Sequence, residues 1–196
     1  MPLTQLDPVA ALVVIDLQKG IVGFSAEHGS ADVVSHSAEL AKAFRERELP
    51  VVLVNVIGRP PGRTDQGFPN RTFPPDWADL VPELDSQASD ILISKQRPGA
   101  FLGTELDAKL RERGVTQIFL AGIATSIGVE STARSAFDLG YNVVFVSDAM
   151  TDLNPVSHKH ALETTLPRMG EVDTTENVLK ALRGQGVIQR ARPLMD

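Results

Sequence analysis

Five short runs of β-branched and aliphatic residues punctuate the chain: Val9 to Ile15, Val51 to Val56, Ile91 to Ser94, Gln117 to Ala121 and Asn142 to Val146. Continuous apolar runs of this length suit strands buried on both faces. Between them lie stretches of helical periodicity, roughly Ala31 to Glu48, Glu105 to Arg113 and Ile127 to Leu139. Gly114 and Gly140 each follow such a stretch and precede a strand, where a left-handed residue ends a helix. A helix near Val156 to Leu166, a short strand near Glu171 to Asp173 and a helix from Thr175 to Leu182 complete the alternation. Repeated βα units of this kind predict an α/β fold with six strands in a doubly wound parallel sheet.

One segment breaks the pattern. Gly58 to Pro75 is rich in proline and glycine, carries Arg59, Arg63 and Arg71, and shows no periodicity. A loop of that length inside a domain is a functional lid or binding loop, or else a surface excursion or subunit contact.

The chain has 196 residues, 42% of them hydrophobic and 22% charged, which fits one globular domain spanning residues 1–196. Its longest apolar run, Val9 to Ile15, falls far short of the roughly 20 residues of a bilayer span. The amino terminus lacks a basic-then-apolar signal pattern, so the expectation is a cytoplasmic protein with no membrane partner. A net charge of -6 offers no positive field to a polyanion, which argues against nucleic acid. The chain contains no cysteine, and this removes disulfides, thiolate zinc sites and a cysteine nucleophile together. The histidines, His28, His36, His158 and His160, form no metal motif and are expected to be solvated surface residues.

In an open α/β sheet, ligands bind beyond the carboxyl ends of the strands, where the strand order reverses. That rule selects Asp16 after the first strand, Lys95 after the third, and the turn GIATSIGVESTAR, residues 122–134, after the fourth. A carboxylate beside an ammonium in a crevice forms a proton donor or acceptor whose pKa the pair controls. Each residue also has a plain structural explanation. Asp16 can cap a turn, Lys95 can be an ion-pair partner, Thr125 or Ser126 can be a helix N-cap, and Glu130 with Arg134 can form an i,i+4 pair. GxGxxG, GxxxxGK[ST] and GxSxG patterns are all missing, so nucleotide cradles and a serine nucleophile elbow have no support.

Three blocks of sequence, VVIDLQ with Asp16, SKQRPGAFLGTELDAKLRERG with Lys95, Phe101 and Thr104, and LAGIATSIGVESTARSAFDLGYNVVFVSDAM at residues 120–150, closely resemble the isochorismatase-like hydrolase family. The resemblance covers nearly the whole chain. It implies a three-layer Rossmann-like fold, with a six-stranded parallel sheet in the order 3-2-1-4-5-6 and helices on both faces. It also implies an Asp, Lys and Cys triad, of which Asp16 and Lys95 match the first two members while Gly128 stands where the cysteine would be. Without a thiol no acyl-enzyme can form there. Ser126 and Ser131 occupy other positions, and the sequence places no histidine base beside either. The isochorismatases of the family also carry glycine at this position and hydrolyse a vinyl ether without a covalent intermediate.

By that resemblance Asp16 is the proton donor, kept protonated by desolvation against the pull of Lys95, and Lys95 hydrogen-bonds both the carboxyl and the leaving oxygen. Arg97, in the Lys-x-Arg pattern of isochorismatases, is placed to hold a substrate carboxylate. The implied substrate wall comprises Arg97, Phe101, Ile123, Ala124, Thr125, Ser126 and Ile127, with a cis peptide bond at Ile123–Ala124 and backbone amides that favour negative charge. Pro98 and Ala124 stand where true isochorismatases carry tyrosines, which alters the pocket. Asn55, Val56 and Ile57 replace the metal-binding Asp-x-His of the nicotinamidases, so neither a metal nor a cofactor is expected. The expectation is a hydrolase of a small anionic molecule that favours vinyl-ether over amide hydrolysis and assembles as a homodimer or larger homo-oligomer. The Gly58 to Pro75 loop would then lie at the interface or over the pocket. The competing reading is a non-catalytic small-molecule binder or structural oligomer that keeps the fold.

Overall fold

Strand β1 (Ala10–Ile15) is buried along its whole length, and its side chains alternate between two separate apolar layers. Ala11, Val13 and Ile15 join one core cluster while Ala10, Leu12 and Val14 join the other, as the two-residue period of a strand requires. A continuous apolar run is therefore the signature of a sheet covered on both faces. In this computed structural model, which describes residues 2–25, 29–65 and 72–184, β1 lies in a six-stranded sheet of order β3-β2-β1-β4-β5-β6. The other strands are β2 (Val51–Val56), β3 (Ile91–Lys95), β4 (Gln117–Ile123), β5 (Asn142–Thr151) and β6 (Glu171–Asp173). Every pairing is parallel.

The helices divide between the two faces. Helix α1 (Lys19–Phe24) is a short turn beyond β1. Helix α2 (Ser30–Glu46) and helix α6 (Thr175–Leu182) cover one face through Val33, Leu40, Phe44, Val178 and Leu182, with Phe44 meeting Phe119 of β4 edge-on at 5.4 Å. On the other face α3 (Leu106–Glu112) and α4 (Glu130–Asp138) contribute Leu106, Leu110, Ala133 and Ala136, and Ala161 follows α5 (Pro155–His160). Gly114 and Gly140 end α3 and α4 at φ 69 and 85°, the left-handed geometry expected of them.

The structure corrects three expectations. Strand β3 is an edge strand, and it alternates buried and exposed residues instead of burying both faces, with Leu92 and Ser94 outward. The predicted helix from Ile127 is in fact a wide π-type turn, Thr125–Val129, followed by α4. Strand β5 runs on to Thr151, because a register irregularity lets Leu120 pair with Phe145 while Gly122 pairs with Met150. The described parts of the Gly58 to Pro75 segment hold no helix or strand, and Arg71 lies outside the described residues. Among the described residues no helix is long and apolar enough to cross a membrane.

Candidate active site

The order reversal falls between β1 and β4, where the ends of β1, β3 and β4 meet at one edge of the sheet. The first strand delivers Asp16 in a left-handed backbone conformation, φ 55°, its amide bonded to the Val54 carbonyl at 2.9 Å. Such a φ is uncommon for a residue with a side chain, though Asp tolerates it better than most. Lys95 ends β3 two strands away. The two side chains meet in the interior, 6% and 2% exposed respectively, with Lys95 Nζ 2.7 Å from Asp16 Oδ2.

The hydrogen-bond inventory of this pair is unequal. Lys95 Nζ also donates to the carbonyls of Pro98 at 2.9 Å and Arg97 at 3.2 Å, so all three ammonium hydrogens have acceptors within the chain. A leaving oxygen that accepts from Lys95 would have to share or displace one of these acceptors. Asp16 Oδ1, by contrast, is buried with no hydrogen-bond partner. Burial pushes the Asp16 carboxyl up to about 6, against the lowering pull of the Lys95 charge and its hydrogen bond. Desolvation thus outweighs attraction. Because Oδ2 already accepts from Lys95, the proton of the neutral acid belongs on Oδ1.

Gly128 faces this carboxyl from the turn after β4. A Cβ there would lie 3.3 Å from Asp16 Oδ2, 3.4 Å from the Ile123 carbonyl oxygen and only 2.9 Å from Cγ2 of Ile15. The peptide bond Ile123–Ala124 is cis, as the resemblance implied. Ile127 N and Val129 N both donate to Ala124 O at 3.1 Å. Neither Thr125 nor Ser126 caps the following helix with its side chain, whereas Glu130 and Arg134 do form their i,i+4 pair, at 2.7 Å.

The remaining candidates are distributed unevenly. Phe101 is buried in the core, its ring 5.8 Å from that of Tyr141, and Thr125 and Ile123 are buried as well. Ala124 and Ser126 are half-buried and Ile127 is exposed beside them. The Arg97 guanidinium is exposed, lies against Gly103, and donates a long 3.5 Å bond to Leu102 O. Ser131 is half-buried on α4. Asn55 is bonded to Ala78 O and Ser94 Oγ, and among the described residues no group of three or more His, Asp or Glu side chains is placed to hold a metal ion.

Several residues that shape the site escape a reading of the sequence. Thr132 donates to Gly128 O at 2.7 Å and accepts from Ala100 N at 3.1 Å, joining the turn to the loop that follows Lys95. Buried Gln18 clamps the ends of β1 and β2 through both ends of its amide, to Val56 N and O and to Trp77 O. Trp77 in turn fills the place where a side chain on Gly20 would stand. Asp152, just beyond β5, accepts from both the Ser126 N–H and its hydroxyl at 2.7 Å, so an amide expected to face the substrate already has a carboxylate of the chain itself. His158 contacts Thr125 and His36 contacts the Asp148 carbonyl. Both therefore depart from the solvated role expected of them, and His28 lies outside the described residues. Gln18 lies within the VVIDLQ block, which pointed only to Asp16, while no motif marks Asp152 or His158, which reach the turn only through the topology of β5.

Comparison with known proteins agrees with this architecture. A family model described as Isochorismatase domain matches residues 10–177. The isochorismatase family protein YwoC of Bacillus subtilis is 42% identical over 180 residues, covering 88% of this chain and 94% of that protein. Ureidoacrylate amidohydrolase RutB of Serratia proteamaculans is 39% identical over 111 residues, covering 54% of this chain and 45% of that protein. The solved structure of an isochorismatase family protein from Burkholderia thailandensis superposes with a TM-score of 0.87 at 43% identity, covering 92% of this chain and 99% of that one.

Proposed function

The chain belongs to the isochorismatase family of hydrolases, and from that premise we propose that it hydrolyses a small anionic vinyl ether by acid catalysis, with Asp16 as the proton donor and no covalent intermediate. The observation that carries this reading is Asp16 Oδ1, a buried oxygen without a partner on a carboxyl raised to about 6. Only one side of this acid is held. Lys95 fixes Oδ2 and leaves Oδ1 as the carboxyl oxygen without a partner among the described residues.

In the step proposed, Asp16 Oδ1–H gives its proton to the enol-ether carbon and the ether oxygen becomes part of an oxocarbenium ion. Water adds to the adjacent carbon, and the resulting hemiketal collapses to a ketone and an alcohol. The proton released on water addition restores neutral Asp16. No nucleophilic side chain is required, which suits both the cysteine-free sequence and the glycine beside the carboxyl. Arg97, exposed and only weakly bonded to its own loop, supplies the cation for a substrate carboxylate. The amide specificity in the name of RutB belongs to that protein, and hydrolysis of an amide by a thiol is not open to a chain without cysteine.

The test is a turnover screen of enol-ether carboxylates beside amides and imides, using the native protein, the native protein treated with iodoacetamide, and Asp16→Asn. Enol ethers should turn over, iodoacetamide should leave the rate unchanged, and Asp16→Asn should lower turnover by about a thousandfold while keeping the fold. Preferential cleavage of amides, or an active Asp16→Asn protein, would overturn the proposal.

A further inference from the structure

The turn Thr125–Val129 presents Gly128 to Asp16 on one side, and on the other it is tied to the segment that follows β5. Asp152, itself 4% exposed, accepts from Ser126 N and Oγ through Oδ2 and from Asn154 N at 3.1 Å through Oδ1. Asn154 in turn caps α5, its side chain accepting from Val156 N at 2.9 Å and Ser157 N at 3.3 Å. The first turn of α5 then carries His158 back to Thr125, closing a loop of polar contacts around the outer side of the turn.

The contact between Thr125 and His158 specifies where a proton sits. Thr125 is fully buried and its hydroxyl has one hydrogen but two neighbours, the Thr151 carbonyl at 3.1 Å and His158 Nδ1 at 2.8 Å. If that hydrogen went to the imidazole, hydroxyl and carbonyl oxygens would face each other with no proton between them. Both contacts are hydrogen bonds only when the hydroxyl donates to Thr151 O and Nδ1–H donates to the hydroxyl. We propose that His158 is a positioning residue, held as the Nδ1–H tautomer, whose bond to Thr125 fixes the turn that sets Gly128 against Asp16. Burial holds this imidazole below its ordinary pKa, with the Asp152 charge opposing, so the ring is neutral at neutral pH and its Nε2 is an acceptor. Asp152 acts beside it by fixing Ser126.

This inference rests on the reading of the turn as one wall of the Asp16 site, but its test needs no substrate. In 15N-labelled protein at neutral pH, His158, identified by its loss in His158→Ala, should show Nδ1 protonated and Nε2 bare. Thr125→Val, which removes the acceptor, should abolish that preference. In protein carrying 13C-labelled aspartate, the Asp16 carboxyl should titrate near its native midpoint in His158→Asn, whose amide N–H takes the place of Nδ1–H. His158→Ala should shift the midpoint by about half a pH unit, since the turn lies against that carboxyl. A ring protonated at Nε2 in the native protein, or an Asp16 titration identical in His158→Ala and native protein, would overturn the proposal. An active Asp16→Asn enzyme would instead overturn the acid-catalysis reading and leave the tautomer in place.

Discussion

Strand β3 is bracketed by two ion pairs whose carboxylates are both buried, and they differ in what those carboxylates have left to bond. At its start, Asp90 receives Arg45 through two nitrogens, at 3.0 and 2.7 Å, and the Gln87 amide at 2.8 Å. Both of its oxygens are occupied, and the Arg45 guanidinium reaches the Leu84 carbonyl as well. At the end of the strand the roles invert. Lys95 is saturated, while Asp16 has one oxygen bonded and the other buried without a partner. A fully bonded buried pair is a clamp, whereas a buried carboxyl with one open oxygen is poised to exchange a proton.

The largest effect expected from this contrast is catalytic. Asp16→Asn keeps the shape but cannot donate a proton to carbon, so turnover of an enol-ether substrate should fall by about a thousandfold. In the proposed mechanism the reactive form is the protonated acid, and with the carboxyl raised to about 6, kcat/KM should be level below that pH and decline as pH rises through and beyond it. A profile that rises with pH over this range would identify Asp16 as a base, and would break the assignment of the open oxygen as the donor.

At the other end of β3 the same kind of disruption should cost stability and leave chemistry alone. Arg45→Ala leaves the Asp90 carboxylate buried with the Gln87 amide as its remaining partner, at a cost of about 3 kcal/mol in urea unfolding. Catalytic parameters should not change. A loss of activity in a folded Arg45→Ala protein would show that the two ends of β3 are not independent.

The pH dependence of stability sharpens the contrast further. Asp16 is raised from 3.8 to about 6 in the folded protein, so the folded state binds this proton more tightly than the unfolded chain does. The resulting stabilisation is fully present below about pH 4, is lost as pH rises through about 6, and amounts to no more than about 3 kcal/mol. Subtracting the unfolding free energies of Asp16→Asn from those of the native protein should isolate this fall. Parallel curves for the two proteins between pH 4 and 7 would show that Asp16 titrates normally.

Much of this arrangement was legible from the sequence, and the exceptions have physical causes. The runs at β1 and β4 marked a sheet covered on both faces because a central strand must be apolar on both sides. At β3 the same signal misled, since Leu92 sits on an edge strand and is exposed. Asp16 and Lys95 followed from the rule that strand ends at the order reversal gather ligands. Helix α1 gave no periodic signal because it is only six residues long with two glycines, and it depends on Lys19 N and Gly20 N bonding to the Asp79 and Trp77 carbonyls. Asp152 and His158 carry no local signature, since their contacts depend on the irregular register of β5 and lie 26 and 33 residues away in the chain.

The smallest effect expected separates two glycines, one packed against Asp16 and one on helix α1 with open space beside it. At Gly128 a methyl group meets Ile15 Cγ2 at 2.9 Å and Asp16 Oδ2 at 3.3 Å. Ile15 is a fully buried, β-branched strand residue with little rotamer freedom, so the turn must give way, and Gly128→Ala should lose about 1–2 kcal/mol. The added methyl also covers the carboxyl, which should move the Asp16 titration upward. At Gly23, within α1, a Cβ meets nothing within 4 Å, and Gly23→Ala should be neutral or stabilise by up to about 1 kcal/mol through helix propensity. The two substitutions add the same atoms and should act with opposite sign. If Gly128→Ala proves as stable as the native protein and leaves the Asp16 titration in place, the turn does not press on the carboxyl, and the proposed wall of the site is lost.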